Sequence, residues 1–392
     1  MEHRYTVLEK VIFDEALTHS LPSLLEKRGS EKLLILISNT LNNSTSIIRE
    51  LQAKLTTTSV TVFDSIPAHT PRRDVIAAVD LARKVKADAI VAIGGGSIID
   101  AAKAVQFALN YGINSEEQLT DFAQFADGSR GEKRKTLDDG ELKSINEIRC
   151  IAVPTTLSGA EFSNTAGVLD TQSGNKEGYR APNLYPQAIV YDPDLSQHTP
   201  EWLWLSTAIR SLDHAVEGFC SPKAYPFLEG QFLHAMILFG QSLRAVKSDP
   251  SDMAARALNQ QAVWLACCGL GKVSHGASHG IGYILGALCG VPHGYTSCVM
   301  LPAVLQWNAE VNADKQHAIA KSLGNEGLAA CHQVKQLVAD LGLPTNLQSV
   351  GVNEEQLSEI AHRASQHPVV RSNPRSINSA EQVMEILRLA WD

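Results

Sequence analysis

The stretch Val91-Ala92-Ile93-Gly94-Gly95-Gly96-Ser97-Ile98-Ile99-Asp100-Ala101-Ala102-Lys103 passes from an apolar run through three glycines into a helical pattern. This order predicts a buried strand, a tight turn and a helix start, which together present backbone N–H groups to a phosphate. Glycine lets the backbone approach a pyrophosphate with no Cβ in the way. Ser97 can cap the helix or donate to a phosphate oxygen. A glycine turn that only reverses the chain would have a similar sequence, so the rest of the chain has to decide.

Strands and helices alternate on both sides of this glycine turn. Apolar runs predict strands at residues 7–13, 33–38, 60–63, 89–93, 148–153 and 187–191, and helical periods predict helices at 17–27, 44–54 and 72–85. The alternation predicts a doubly wound α/β unit, whose ligands bind beyond the carboxyl ends of the strands. Polar residues that can meet a ligand follow these strands, namely Asn39, the segment 65–70, the glycine turn, Thr155, Thr156 and Ser158.

Helical patterns replace the strands from about Thr199 onward. We therefore predict two domains, an α/β domain over residues 1–195 and an all-α domain over residues 196–392. The polar, charge-mixed run at 110–148 interrupts the first domain, and we predict a surface excursion there because such runs are usually solvated loops.

The composition narrows the class of protein. With 392 residues, 44% of them hydrophobic and 19% charged, the chain is typical of a globular protein longer than one average domain. A net charge of -8 argues against a nucleic-acid or anionic-membrane surface. The N-terminus lacks an apolar segment, no apolar run is long enough to span a membrane, and seven scattered cysteines form no Cys-x-x-Cys pair, which predicts a cytoplasmic protein. We expect a small-molecule substrate, no nucleic-acid or membrane partner, and a homodimer.

Ionisable residues recur at helical spacing in the second half. They are Arg210, Asp213, His214 and Glu217 on one predicted helix, then His275, His279 and Tyr283 on another, followed by His293. A spacing of four places each set on one helix face. Histidines that converge between helices can bind a transition metal, whereas a single helical histidine is more often a packed core residue.

Four motifs in this order resemble the iron-containing alcohol dehydrogenase superfamily. They are Gly-Gly-Gly-Ser-x-x-Asp-x-Ala-Lys at 94–103, Pro-Thr-Thr at 154–156, His-Ala-Val-Glu at 214–217, and His279 with Gly286 and Pro292-His293-Gly294. Asn-Pro-Arg at 373–375 fits as well. The resemblance implies a nucleotide-binding α/β domain, a helical domain with the active site in the cleft, and an NAD(P)-dependent oxidoreductase. The cofactor contacts that we expect are Asn39, Gly94, Gly95, Gly96, Ser97, Asp100, Thr155, Thr156 and Ser158.

One departure concerns the metal. The resemblance implies a divalent ion with four protein ligands. Three are His214, His279 and His293, and the fourth is an Asp four residues before His214. Arg210 stands at the position of the Asp. A guanidinium about 5 Å from the ion would be repelled by roughly 7 kcal/mol at an effective dielectric of about 20, and arginine cannot lose its proton. We therefore favour a site that works without a metal. If iron or zinc binds, His214, His279 and His293 are the expected ligands.

Without a metal, other groups must stabilise the negative charge that hydride transfer leaves on the carbonyl oxygen. Arg210 and a protonated histidine or Tyr283, which stands where the family commonly has His, can do so, and Arg210 can also hold a substrate carboxylate. A structural ion pair of Arg210 with a neighbouring carboxylate is the alternative. The expected catalytic residues are Arg210, His214, His279, Tyr283 and His293.

Two details resemble the maleylacetate reductase branch of this superfamily, which lacks the metal-binding Asp. They are the short Pro-Thr-Thr-x-x-Gly-x-Glu spacing at 154–161 and His69-Thr70-Pro71. We therefore expect an acidic oxo-compound as substrate, as in the reduction of maleylacetate to 3-oxoadipate in aromatic-compound catabolism. Maleylacetate reductases usually carry Asn at the position of Arg210, so a distinct branch with another substrate is one alternative. A metal-dependent alcohol dehydrogenase and a non-catalytic nucleotide-binding protein are the others.

The choice between NADH and NADPH depends on the end of the second strand. Family members that select NAD often have an Asp there, which accepts from the ribose hydroxyls and repels a 2′-phosphate. This chain has Asn39, beside Thr40 and Asn42. We therefore expect NADPH to be accepted as well as NADH.

Overall fold

The computed structural model describes residue 3, residues 6–124 and residues 148–391. The chain divides into two compact units. The α/β unit comprises Met1–Thr156 and Ala160–His198, and the helical unit comprises Leu157–Gly159 and Thr199–Asp392. None of the described helices combines the length and the apolar composition that crossing a bilayer requires.

A six-stranded sheet forms the centre of the α/β unit. Its strands are β1 (Lys10–Phe13), β2 (Lys32–Ile37), β3 (Ser59–Phe63), β4 (Ala89–Gly94), β5 (Cys150–Pro154) and β8 (Ala188–Tyr191). They lie in the order β1-β8-β5-β4-β2-β3, and each neighbouring pair is parallel. The described helices of this unit are α1 (Leu17–Arg28), α2 (Asn39–Ser44), α3 (Ile47–Lys54), α4 (Arg72–Val85), α5 (Gly96–Asn110), α6 (Glu116–Thr120) and α7 (Pro193–Ser196). The predicted doubly wound α/β class is confirmed.

The central strands β2 and β4 are apolar along their length because helices cover both faces of the sheet. Residues 33–37 and 89–93 are each at most 1% exposed. Burial of one such aliphatic side chain stabilises the fold by about 1.5–3 kcal/mol. The glycine turn thus follows a strand that is buried at every residue.

The helical unit contains no strand among its described residues. Its helices are α8 (Glu201–Cys220), α9 (Pro226–Ser248), α10 (Met253–Cys267), α11 (Ala277–Cys289), α12 (His293–Asn308), α13 (Ala313–Ser322), α14 (Ala330–Asp340), α15 (Leu357–Gln366), α16 (Pro368–Arg371) and α17 (Ala380–Leu389). Helix α8 is buried without interruption from Trp204 to Cys220. Polar side chains on it must therefore find partners inside the protein. The all-α class predicted for this part of the chain is confirmed.

Three residues that follow β5 belong to the helical unit. The backbone N–H of Leu157 donates to Thr207 Oγ1 over 3.0 Å, and its carbonyl accepts from the hydroxyl of Ser211. Gly159 has a φ of +74°, and a Cβ there would lie 2.3 Å from the sulfur of Cys267. Only glycine fits this position, because both the backbone conformation and the space exclude a side chain.

The predicted surface excursion at 110–148 is wrong for its first part. Residues 116–120 form α6, Leu119 and Ala123 are fully buried, and the backbone of Gln124 pairs with Gly178. The apolar side chains of this short segment pack inward although its overall composition is polar. Residues 125–147 lie outside the described residues.

The structure also adds elements that the sequence did not predict. An antiparallel hairpin joins β6 (Thr165–Leu169) to β7 (Lys176–Arg180). The helix predicted at 44–54 is instead the pair α2 and α3, and α2 begins at Asn39 after the N-cap residue Ser38, whose hydroxyl accepts from the Leu41 N–H. Short polar strands and a one-turn helix give too few residues for a clear hydrophobic period.

Candidate active site

The glycine turn connects β4 to α5 at the carboxyl edge of the sheet. Gly95 is the N-cap of α5 and has an ordinary φ of -78°. A Cβ at Gly95 would lie 3.0 Å from Cγ2 of Thr156, because the Thr155 N–H bonds to the Gly94 carbonyl and brings that segment close. Glycine is favoured here by the close approach of the Thr156 side chain rather than by backbone conformation. The N–H groups of the first turn of α5 lie at this edge, and such groups can bind an anion.

Ser97 does not cap the helix. Its hydroxyl accepts the backbone N–H of His69 over 3.2 Å, and its carbonyl accepts from Thr70 Oγ1 over 2.8 Å. His69 and Thr70 are consecutive non-glycine residues with φ of 67° and 58°. Such conformations cost about 1–3 kcal/mol each and concentrate at functional sites. The segment after β3 is therefore fixed onto the glycine turn at a cost in backbone strain.

Asp100 lies between two lysines. Its carboxylate is 3.2 Å from Lys103 Nζ and 4.0 Å from Lys176 Nζ. The ammonium of Lys103 is fully buried and donates to the carbonyls of Ala160 and Thr165. Lys103 thus attaches α5 to the chain after β5, a role that the sequence did not reveal.

The remaining expected cofactor residues lie in different surroundings. Asn39 is exposed at the first position of α2, directly after β2. Asn42, one turn later, donates to the carboxylate of Asp64 over 2.8 Å. Asp64 follows β3, and sequence reasoning missed it because its strand lies at the sheet edge. Thr155 and Thr156 are buried beside the glycine turn, whereas Ser158 belongs to the helical unit.

Replacing Gly95 by valine is expected to abolish cofactor binding with little loss of fold. The new side chain would press on Thr156 and cover the N–H groups of α5. NADH binding is measured by fluorescence titration, and folding by thermal melting. Gly230→Val is the matched control, because a Cβ at Gly230 has no neighbour within 4 Å. Unchanged binding by the Gly95 variant would remove the assignment of the phosphate site.

In the helical unit, Glu217 of α8 organises the start of α11. Its carboxylate accepts the backbone N–H groups of Gly276, Ser278 and His279 at 2.9, 2.8 and 3.3 Å. It also bonds Nδ1 of His279 over 2.8 Å. Burial, aided by the negative charge of Asp213, raises the pKa of Glu217, and the three backbone donors oppose that rise. Glu217 therefore fixes both the turn before α11 and the ring of His279.

Three histidines meet beside this carboxylate, and we call them the histidine cluster: His214, His275 and His279. Nδ1 of His214 lies 2.8 Å from Nε2 of His279 and 3.2 Å from Nε2 of His275. Burial and the charge of Arg210 lower the pKa of His275 to about 3. Burial, with contributions from Arg210 and the neighbouring rings, also lowers the pKa values of His214 and His279. The three imidazoles are neutral near pH 7.

This cluster differs from the histidine set expected from the sequence. His275 takes the third place instead of His293, because α11 begins only at Ala277 and the preceding turn stacks His275 on His279 with ring centroids 4.2 Å apart. His293 is exposed at the first position of α12, near Gly286. The periodic His-x-x-x-His spacing contained the signal for His275, although that residue precedes the helix.

Arg210 reaches a carboxylate through a hydroxyl. Its Nη1 donates to Ser297 Oγ over 3.0 Å, and Ser297 donates to Asp213 Oδ2 over 2.6 Å. Ser278 donates to the same Asp213 oxygen over 2.7 Å. Burial raises the pKa of Asp213, and Arg210 and the two hydroxyls oppose that rise. The expected alternative, a direct ion pair of Arg210 with Asp213 or Glu217, is not formed among the described residues.

Tyr283 completes this group. Its ring faces the Arg210 guanidinium at 5.5 Å and meets His279 edge-on, with ring centroids 6.5 Å apart. The side chain is half-buried. Arg210, Tyr283 and His279 are therefore brought together as the sequence predicted, with Ser297 and Asp213 added behind the guanidinium.

The histidine cluster suits a divalent transition metal in the kind of donor. Imidazole is a common ligand of iron and zinc, and a carboxylate on the second ring nitrogen, as Glu217 provides for His279, is typical of metal sites. The three ring nitrogens lie within 4.8 Å of one another.

The charge of the site does not suit a metal. Arg210, only 7% exposed and one helical turn before His214, is permanently positive, and its field already lowers the pKa values of the histidine cluster. Of the two nearby carboxylates, Glu217 accepts backbone N–H groups and Asp213 accepts two hydroxyls on Oδ2, whereas Oδ1 of Asp213 is buried with no hydrogen-bond partner among the described residues. These residues do not fit a tightly held divalent ion, and no catalytic step is derived through one.

Comparison with known proteins covers nearly the whole chain. The model of iron-containing alcohol dehydrogenase matches residues 9–193, and the model of the C-terminal part of the Fe-containing alcohol dehydrogenase family matches residues 204–391. Dehydrogenase FUM7 of Gibberella moniliformis is 30% identical over an alignment of 394 positions, which covers 92% of this chain and 91% of that protein.

Two further relatives carry names of reductases. Maleylacetate reductase 1 of Rhodococcus opacus is 28% identical over 383 residues, covering 98% of this chain and 94% of that protein. The crystal structure of sulfoacetaldehyde reductase from Bifidobacterium kashiwanohense in complex with NAD+ has a TM-score of 0.85 at 22% identity, covering 99% of this chain and 98% of that one. The chain described here therefore belongs to the iron-containing alcohol dehydrogenase family of oxidoreductases.

Proposed function

We propose that this chain is an NAD(P)H-dependent reductase of acidic oxo-compounds, with the reduction of maleylacetate to 3-oxoadipate as the model reaction. The observation that carries the proposal is a buried guanidinium, Arg210, which meets its nearest carboxylate only through a hydroxyl. A guanidinium binds a carboxylate with two parallel hydrogen bonds, so Arg210 suits an anionic substrate. The names of the two reductases among the relatives, one acting on a dicarboxylate and one on a sulfonate, support this class of substrate.

The reaction moves a hydride from C4 of the reduced nicotinamide to the substrate. In a simple ketone or aldehyde the hydride adds to the carbonyl carbon, and the oxygen becomes an alkoxide that takes up a proton. In maleylacetate the hydride adds to the alkene carbon β to the ketone, and the resulting enolate is protonated on the α carbon. Both routes place negative charge on an oxygen, which donors must stabilise in the transition state.

The residues of the helical unit supply these donors. Arg210 provides a permanent positive charge, and the hydroxyl of Tyr283, whose ring lies 5.5 Å from the guanidinium, would donate a proton. The neutral ring of His279 meets Tyr283 and bonds His214, and we assign His293 to the rim of the site because it is exposed. The roles of all five residues are parts of this proposal.

We assign cofactor binding to the glycine turn and its neighbours. The pyrophosphate would accept from the N–H groups at the start of α5, with Ser97, Thr155 and Thr156 beside them. NADPH would be accepted as well as NADH because Asn39 leaves no carboxylate at the end of β2. The carboxylate of Asp64 is close to that edge, but the amide of Asn42 already binds it.

A metal-dependent alcohol dehydrogenase is the second candidate. The convergence of three imidazole nitrogens in the histidine cluster favours it, since iron and zinc take such donors. The charge of Arg210 is the observation against it. A nucleotide-binding protein without catalysis is the third candidate. An activity measurement distinguishes it from the two enzyme candidates.

A panel of substrates tests the proposal. Purified protein is assayed with NADH and with NADPH for reduction of maleylacetate, other oxo-acids, and neutral aldehydes such as lactaldehyde. We expect kcat/KM to be highest for the acidic compounds, and NADH to be preferred over NADPH by less than about a hundredfold, near 2.7 kcal/mol. Higher activity with neutral alcohols or aldehydes would favour the second candidate. Cofactor binding without any turnover would favour the third.

A further inference from the structure

We infer that Ser297 is a positioning residue that holds the Arg210 guanidinium apart from Asp213 and so keeps its charge available for a substrate carboxylate. The inference rests on the proposed function and adds the residue on which the preference for acidic substrates depends.

The Ser297 hydroxyl has a single orientation. It accepts from Arg210 Nη1 and donates its only proton to Asp213 Oδ2, at 3.0 and 2.6 Å, and the residue is fully buried. A hydroxyl with one donor proton cannot exchange these roles without breaking a buried bond. Ser297 is thus a fixed spacer between a cation and an anion.

Two further residues lie beside the guanidinium. The Tyr283 ring lies 5.5 Å from Cζ of Arg210, and a Cβ at Gly282 would lie 3.7 Å from Nη1. The five N–H donors of arginine lie in one plane, so a bond to one of them and contact with an aromatic face fix that plane. A guanidinium oriented in advance loses little conformational entropy when a carboxylate binds.

Removal of the spacer changes the partner of Arg210. In Ser297→Ala the hydroxyl is missing, and the guanidinium and Asp213, both buried, attract each other directly. A direct ion pair would use the donors that are proposed for substrate and would turn the guanidinium away from its present plane. Binding of carboxylates should therefore weaken, while neutral substrates lose less.

Ser278 offers a matched control. Its hydroxyl donates to the same oxygen of Asp213 over 2.7 Å and is equally buried, but it makes no bond to Arg210. Ser278→Ala therefore removes the same kind of bond from the same carboxylate. A difference between the two alanine variants isolates the contact with Arg210.

The test uses the full-length protein saturated with NAD+. Fumarate serves as a dicarboxylate probe, and calorimetry measures its dissociation constant. We expect Ser297→Ala to weaken fumarate binding at least tenfold, Ser278→Ala to change it less than threefold, and Ser297→Thr, which keeps the hydroxyl, to restore it. If Ser297→Ala fails to fold, Ser297→Cys, with a weak donor of similar size, is measured in its place.

The outcomes separate this inference from the proposed function. Equal fumarate binding by the wild type and by Ser297→Ala, or equal losses in both alanine variants, would overturn the inference and leave the function intact. Absence of fumarate binding by the wild type would overturn it as well. The function itself is judged by the reduction panel of the wild-type protein, which does not depend on Ser297.

Discussion

Replacing Arg210 by alanine is expected to lower kcat/KM for maleylacetate by roughly 30- to 900-fold, with a smaller loss for lactaldehyde. Truncation of one partner of a buried charge pair costs about 2–4 kcal/mol, which corresponds to that range. Acidic substrates lose both the carboxylate contact and the stabilisation of the developing charge, whereas neutral substrates lose only the second. Steady-state kinetics with both substrates, using the same cofactor, measure the difference.

A second buried arginine supplies the control for this experiment. Arg256 of α10 is 2% exposed and lies over the Trp204 ring at 4.7 Å, away from the residues of the candidate site. Arg256→Ala should lower the melting temperature but leave the ratio of the two kcat/KM values unchanged. If Arg210→Ala also leaves that ratio unchanged, Arg210 does not recognise the carboxylate.

Exchange of Arg210 for aspartate is expected to raise the affinity for Zn²⁺ at least a hundredfold, while dialysis of the wild-type protein against a strong chelator leaves its turnover intact. The variant removes a repulsion of roughly 7 kcal/mol, for charges about 5 Å apart at an effective dielectric of about 20, and adds a carboxylate ligand. Without metal, the new carboxylate would lie near those of Asp213 and Glu217, so the variant should be less stable until Zn²⁺ is added. Calorimetry and melting curves measure both effects.

The neutral exchange Arg210→Asn separates the two contributions, because it removes the repulsion without supplying an anionic ligand. Its affinity for Zn²⁺ should lie between those of the wild type and the aspartate variant. Complete loss of wild-type activity on chelation, recovered with ferrous or zinc ion, would contradict the prediction and make the histidine cluster a catalytic metal site.

The fold could be predicted because its signals are local. The apolar run of β4, the three glycines and the period of α4 each occupy a few consecutive residues, and α4 begins and ends where the sequence predicted. The hairpin of β6 and β7 escaped prediction because short strands with mixed polarity leave no such period.

The candidate site could be predicted only in part because its partners are distant in sequence. Arg210 and Ser297 are 87 residues apart. Nothing in the sequence distinguishes Ser297 from other serines, because its contact with Arg210 arises only when α8 packs against α12. The spacing of the histidines predicts His275 on a helix, whereas it lies in the turn before α11. Glu217 fixes that turn by accepting backbone N–H groups. Spacing along one helix shows which side chains share a face, but not which neighbouring helix meets that face.

The segment Leu157–Gly159 has a consequence for how the chain can be divided. A fragment that begins at Thr199 would contain the described helices of the helical unit but lack these three residues, and Thr207 and Ser211 on α8 would lose their hydrogen bonds to the backbone of Leu157. A fragment that stops at His198 would carry the segment without its hydrogen-bonding partners. During synthesis, the segment leaves the ribosome well before the helices it serves, so its final contacts form only after the second half of the chain has been made. Experiments on isolated halves would therefore study molecules that each lack part of the native structure.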